Sequence, residues 1–336
     1  MSTTVAPSPQ LLFDTMTAFQ RTAALRAAID LEFFTAIADG ATTVSAIAAR
    51  CHTAIRSTRM ICDYLTIIGF LSKTGDAYQL TPDSAVFLNK TSPAYLGTMI
   101  EFLGSPTMAH NFDNLTDTVR RGTITPGEDT VAVENPIWEQ FARAMAPMMM
   151  MPAQAIAEIL GVATAGPMRV LDIAAGHGLF GIAIAQRNSA AEITAVDWKG
   201  VLKAASDNAA KMGVAARHHT IAGDAFAVDF GSGYQIALVT NFLHHFDVPT
   251  CTTLLRKVAA SLQPGGRVAV LEFVPNDDRI SPPAAATFVM NMLAGTAAGD
   301  AFTLRELRGM LEAAGFRDVA AHPLPPGPET LVVATK

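Results

Sequence analysis

Four carboxylates and two histidines occupy the same kind of place in this chain, each ending or just following a short run of aliphatic and β-branched residues. The first run, Val170-Leu171-Asp172-Ile173, passes into Ala174-Ala175-Gly176-His177-Gly178. Small residues in such a turn let a ligand approach the backbone closely, and Asp172, Ala174, Gly176 and Gly178 are candidates to shape that approach. Asp197 ends the next run, 25 residues beyond Asp172, where an acid suits hydrogen bonds to a ribose diol. Gly223-Asp224-Ala225-Phe226 ends another. Here Asp224 can accept from an adenine amino group, Ala225 and Phe226 can flank the ring, and Trp198 can cover its other side or simply fill core. Asn241-Phe242-Leu243-His244-His245-Phe246-Asp247 follows a fourth run and places Asn241 at its end. Adjacent histidines there face different ways. One reading makes them a surface and a capping residue; the other makes one of them a general base, because imidazole with a pKa near ~6.5 accepts a proton at neutral pH. Glu272, at the end of a fifth run, can orient that imidazole and stabilise its protonated form.

The elements that must hold these residues alternate. From about Met168 short β-rich runs (Arg169–Ile173, Glu192–Val196, Arg217–Ala222, Tyr234–Thr240, Arg267–Phe273, Thr330–Ala334) are separated by helical stretches. That pattern predicts an α/β domain with a parallel sheet covered on both faces, and such sheets bind ligands beyond the carboxyl ends of their strands. Residues 1–95 read differently. Apolar spacing predicts helices over Leu11–Ile29, Thr43–Arg50 and Ile55–Gly69, then two short strands around Thr74-Gly75-Asp76, the order of a winged helix. A helical, Met-rich stretch, residues 96–160, joins this part to the domain at 161–336.

Composition limits what these parts can be. Half of the 336 residues are apolar and 16% are charged, enough for packed cores and unlike a disordered chain. With 24 Lys and Arg against 30 Asp and Glu the net charge is −6. Residues 1–90 carry seven of each sign, so the winged helix lacks the basic face that DNA binding needs, and no nucleic-acid partner is expected. Cys51, Cys62 and Cys251 are too few and scattered for a disulfide framework or zinc site, which suits a cytoplasmic protein without a metal. The start of the chain lacks the pattern of a signal peptide. The most apolar stretches, Met145–Gly166 and Ala284–Gly299, are broken by Pro147, Pro152, Gln154 and Glu158 or are too short, so they read as buried helices and not as membrane spans. His218 and His219, at the start of a run, read as surface residues; His110 and Asn111 are weaker pocket candidates.

Taken together, the segment 172–178, the Asp197 acid, Gly223–Phe226 and the segment 262–273 resemble the S-adenosylmethionine-binding motifs of Rossmann-like class I methyltransferases. A dinucleotide fold fits less well, since Ala174 takes the first small position and Leu179 follows the second glycine. Over nearly its whole length the chain resembles small-molecule O-methyltransferases of the caffeate, acetylserotonin and anthracycline type. The resemblance implies an N-terminal dimerisation domain, a homodimer, S-adenosylmethionine as methyl donor with S-adenosylhomocysteine as product, and a small, aromatic, secondary-metabolite-like substrate. It implies His244 as base, because Cys251 stands seven residues on, as in the family, with Glu272 in the place of its orienting acid. It also implies a pocket drawing on Trp138, Phe141, Met145, Met148, Met149, Phe288, Met292 and Thr296. Departures are visible. His245 and Phe246 replace an Asp-Trp pair, Thr240 replaces a lysine, and Ala301 stands where plant enzymes keep a second carboxylate. Ala301 keeps a second reading open, in which the same scaffold does other chemistry: C-methylation, or cofactor-assisted hydroxylation, decarboxylation or pericyclic reaction. A winged-helix regulator of DNA and a binding module that has lost catalysis are the remaining alternatives.

Overall fold

The computed structural model describes residues 7–131 and 134–336. The chain forms two compact units, Met1–Ser105 and Pro106–Lys336. The stretch 96–160 counts with the first unit up to Ser105 and with the second beyond.

In the first unit α1 (Gln10–Met16), α2 (Phe19–Asp30), α3 (Phe33–Ala38), α4 (Val44–Arg50) and α5 (Ile55–Ile67) precede the antiparallel hairpin of β1 (Leu71–Thr74) and β2 (Ala77–Leu80). The winged-helix order read from the sequence is present, with one difference. The single helix expected over Leu11–Ile29 is broken at Thr17. The hydroxyls of Thr15 and Thr17 turn back 2.8 Å onto the carbonyls of Leu11 and Phe13, the local bonding by which threonine competes with a helix. The Thr43 side chain caps α4 by accepting from the Ala46 N–H. Phe33, Phe34, Ile47, Cys62, Leu65 and Tyr78 form the core. The Tyr78 hydroxyl donates to Asp63 at 2.6 Å, and Lys73 donates to the same carboxylate at 2.7 Å. These two hydrogen bonds hold the Asp63 carboxyl down to about 2.

The second unit is built on β3 (Met168–Ile173), β4 (Ala191–Asp197), β5 (His218–Ala222), β6 (Tyr234–Thr240), β7 (Leu262–Phe273), β8 (Arg317–Pro323) and β9 (Glu329–Thr335), in the sheet order β5-β4-β3-β6-β7-β9-β8. Five strands are parallel, as expected. The sheet is mixed, however: β9 runs antiparallel to β7 and β8 antiparallel to β9. The sequence reading did not contain β8, whose burial does not alternate along the strand. Pro264-Gly265-Gly266 lies within β7, opposite a register irregularity between Tyr234 and Ile236.

Alternation along β3 feeds two cores. Leu171 and Ile173 enter one, with Leu255, Val258, Leu307 and Val332, while Met168 and Val170 enter the other, with Ile156, Ile182, Ile184 and Leu331. The parallel strands present their carboxyl ends at one edge, and the order reverses at β3, between β4 and β6. A crevice belongs at that reversal. Among the described residues no helix is long and apolar enough to cross a membrane.

Leu65 is fully buried. Leu65→Ala is expected to destabilise the first unit by about 2–5 kcal/mol through lost burial and the cavity left behind, read as a lower denaturant midpoint. A loss near zero would mean that this core collapses around the gap.

Candidate active site

A cavity of about 210 Å³ opens at that reversal. Ala174, Gly176, Asp197, Trp198, Asp224, Ala225, Phe226 and Asn241 line it, as do Trp138 and Phe141. Each comes from a strand end or from the helix at Ile137–Ala144.

The turn after β3 owes its shape to two positions. Ala174 has φ +52, an unusual left-handed conformation for a residue with a side chain. At Gly178, φ is +73 and a Cβ would lie 2.8 Å from the Ala205 side chain, so only glycine lets the following helices pack. The Gly176 N–H donates to Asp197 Oδ2 at 2.8 Å, and the Trp198 N–H donates to Oδ1 at 2.7 Å. Burial pushes the Asp197 carboxyl up to about 6 against these two bonds. Asp224 accepts from the Phe226 N–H at 2.8 Å.

Two of the expected cavity residues stand behind the wall and do not face the ligand space. Asp172 is fully buried, with Oδ2 accepting from the Gly181 N–H at 3.1 Å, and desolvation raises its carboxyl to about 7. Gly178 serves helix packing as described. Both position the turn.

His244 and Glu272 meet. His244 Nδ1 lies 2.6 Å from Glu272 Oε2, both side chains almost wholly buried, while Glu272 Oε1 accepts from the N–H groups of Phe242 and His244 at 3.2 Å. A carboxylate can only accept, so His244 carries its proton on Nδ1 and leaves Nε2 as the basic nitrogen. Nε2 has no hydrogen-bond partner among the described residues. The ring of His244 packs at 4.7 Å against Phe288, which stacks on Phe273 at 3.9 Å.

The sequence offered both adjacent histidines, and the resemblance favoured His244. His245 lines the cavity, packs edge-on against Trp138 at 5.1 Å and lies 4.2 Å from the His244 ring. Its Nδ1 is buried without a partner among the described residues. Burial, reinforced by the adjacent His244, holds its proton affinity well below that of an ordinary histidine. Phe242, Phe246 and His177 also line the cavity. Phe226, Phe242 and Phe246 form an aromatic group with centroids 5.0–6.3 Å apart. The signal for it was present in the aromatic residues flanking the two histidines.

Other candidates lie elsewhere. Met145, Met149, Met292 and Thr296 are buried but do not line this cavity, nor do Met148 and Phe288. The Thr296 hydroxyl donates to the Met292 carbonyl and accepts from the Gly299 N–H, both within its own segment. Met149 sulfur takes a long contact, 4.0 Å, from the Asn241 amide, whose Oδ1 is buried without a partner among the described residues. Asp300 pairs with Arg279 at 3.1 Å, and Ala301 is buried. His110 pairs with Asp113 in the open. His219 meets Glu192, but His218 is half-buried, its Nε2 without a partner among the described residues, contrary to a surface assignment. Desolvation raises the Cys251 thiol to about 12, far from a thiolate nucleophile. Among the described residues no three histidine, cysteine or acidic side chains are grouped as metal ligands would be.

This geometry can be compared with known proteins. Residues 130–317 match the O-methyltransferase domain family, and residues 13–90 match the O-methyltransferase dimerisation domain family. A crystal structure from Nostoc punctiforme, assigned provisionally as an O-methyltransferase, is 49% identical and superposes with a TM-score of 0.95 over 99% of this chain and 100% of its own. Human N-acetylserotonin methyltransferase in complex with S-adenosylmethionine shares the fold at 21% identity, with a TM-score of 0.85 over 100% of this chain and 99% of its own. The 3-hydroxy-5-methyl-1-naphthoate 3-O-methyltransferase of Streptomyces sahachiroi is 29% identical over 93% of this chain and 90% of its own length. The chain thus belongs to the family of S-adenosylmethionine-dependent O-methyltransferases with an N-terminal dimerisation domain.

Proposed function

We propose that this protein methylates a hydroxyl of a small aromatic molecule of the secondary-metabolite kind, with His244 as general base held by Glu272. The observation that carries this reading is the 2.6 Å contact between His244 Nδ1 and Glu272 Oε2 inside a buried strand end. The Streptomyces sahachiroi relative, by its name, acts on the 3-hydroxyl of a naphthoate, a substrate of that class.

Asp197 would hold the ribose of the cofactor, Asp224 its adenine amino group, and Phe226 and Trp198 the faces of the ring; all four line the cavity. The partnerless Oδ1 of Asn241 suits a polar ligand group. When bound, S-adenosylmethionine supplies an electrophilic methyl on a sulfonium sulfur. The chain's own task is to position the acceptor oxygen and remove its proton. A phenol, with a pKa near ~10, gives up that proton to Nε2 of His244, and Glu272 stabilises the imidazolium that forms. His245 is the rival base because it lines the cavity. It has no carboxylate partner among the described residues, and its surroundings oppose the charge it would acquire.

A homodimer finds support in α1 and the start of α2. Leu11, Leu12, Phe13, Met16 and Phe19 are all more than half exposed, and α1 buries no residue at all. An apolar helix left bare in this way within a dimerisation domain fits burial against a second copy.

Three outcomes are expected. His244→Ala lowers kcat by at least about a hundredfold, the scale of a general base, with S-adenosylhomocysteine binding retained, whereas His245→Phe loses less. An equal or greater loss at His245 would reverse the assignment, and a product without an added methyl on oxygen would favour the other chemistries. Ribose hydroxyls donate to an ionised Asp197, so S-adenosylhomocysteine affinity is expected to hold above pH 7 and to fall as pH drops through about 6. Asp197→Asn should weaken binding at pH 7.5 and flatten that profile; an unchanged titration would remove Asp197 from the site. Leu12→Asp with Phe13→Asp should give monomers in sedimentation, and persistent dimers would place the interface elsewhere.

A further inference from the structure

Arg279 belongs to no motif and takes no part in the proposed chemistry, yet its backbone is held at φ +57, uncommon for a residue with a side chain. It lies in the loop that leaves β7 after Glu272 and Phe273. Its guanidinium donates to Asp300 at 3.1 Å and also to Glu306. Glu306 in turn accepts from the Thr303 N–H at 2.8 Å and caps the helix Leu304–Ala313. One planar fork thus fixes both ends of the segment 300–306.

That segment touches the base. The Asp300 N–H donates to the His244 carbonyl at 2.9 Å. The approach is so close that a Cβ at Gly299 would overlap the same carbonyl and the Thr296 hydroxyl. The Gly299 N–H is itself held, donating to the Thr296 hydroxyl at 3.0 Å. Glu272 already takes the N–H and the ring of His244, so Asp300 supplies the remaining hold, on the carbonyl. Ala301 has no carboxylate to offer the base, but the backbone beside it supports the base directly.

We propose that Arg279 is a positioning residue for His244: through Asp300 it sets the backbone hold that keeps the ring on Glu272. The proposal rests on the reading of His244 as base. The pairs that Arg279 makes are partly exposed, and such pairs contribute little to stability. Its loss should therefore move the ring and spare the fold.

Nitrogen NMR of ring-labelled histidine in the ligand-free, full-length protein tests this without turnover. The variants are Arg279→Met, Arg279→Lys and Asp300→Ala, with His244→Ala to assign the signal. Wild-type His244 should carry its proton on Nδ1. Arg279→Met should raise the Nε2-protonated form about fivefold or more, the scale of one displaced hydrogen bond, with the denaturant midpoint nearly unchanged. Arg279→Lys, which keeps the charge, should restore part of the wild-type spectrum. Asp300→Ala should show the same change, and adding Arg279→Met to it should deepen it little, as for residues that act through one another. Fully additive changes would overturn the proposal. So would a shift of every buried histidine together with a lower midpoint, the mark of general loosening. If the neutral wild-type ring is protonated on Nε2, the base reading falls and this inference with it. If wild type is as expected but Arg279→Met leaves His244 untouched, only this inference falls.

Discussion

A carboxylate buried at 1% exposure needs its charge answered, and Glu272 is answered three times at one strand end. One oxygen takes two backbone N–H groups from the turn after β6, and the other takes the His244 ring. The cost of desolvating such a charge is offset only when its lone pairs are filled in this way. The same bonds that satisfy Glu272 therefore fix the turn, the ring and its tautomer. The parallel pairing of β6 with β7 brings the two strand ends side by side, and packing of Leu243 and Cys251 into the core anchors the turn from behind.

His244 and Glu272 do not themselves line the cavity, whose wall is divided by chemistry. The β3–β4 side offers backbone, a carboxylate and small residues, suited to a polar, ribose-bearing ligand. The side after β5 and β6 offers Phe226, Phe242 and Phe246, with Trp138 and Phe141 from the preceding helix. His244 and His245 stand 4.2 Å apart yet in opposed circumstances. One is tied to a carboxylate; the other is buried without one. Sequence neighbours thus acquire different partners from strand geometry, and burial holds the proton affinity of His245 well below that of an ordinary histidine.

Much of this was legible in the sequence because it depends on local pattern. The strand runs, the small-residue turn, Asp197, Asp224 and Glu272 announce themselves by their position at strand ends. What was hidden depends on tertiary packing. β8 has no alternating pattern, and the reversal to antiparallel pairing at β9 leaves no local mark. The break at Thr17 turns on which hydroxyl folds back onto its helix. That His245 lines the cavity, that Asp172 stands behind it, and that Met145, Met149 and Met292 are buried away from it are facts of side-chain direction, which spacing alone does not report.

The central claim is that Glu272 makes His244 a base with its free lone pair on Nε2. Nitrogen NMR of ring-labelled histidine at neutral pH reads this directly. The account predicts that His244 carries its proton on Nδ1, with an unprotonated Nε2, and that Glu272→Gln disturbs this state while His245 stays neutral. A His244 ring protonated on Nε2 in its neutral form, or one indifferent to Glu272→Gln, would contradict it.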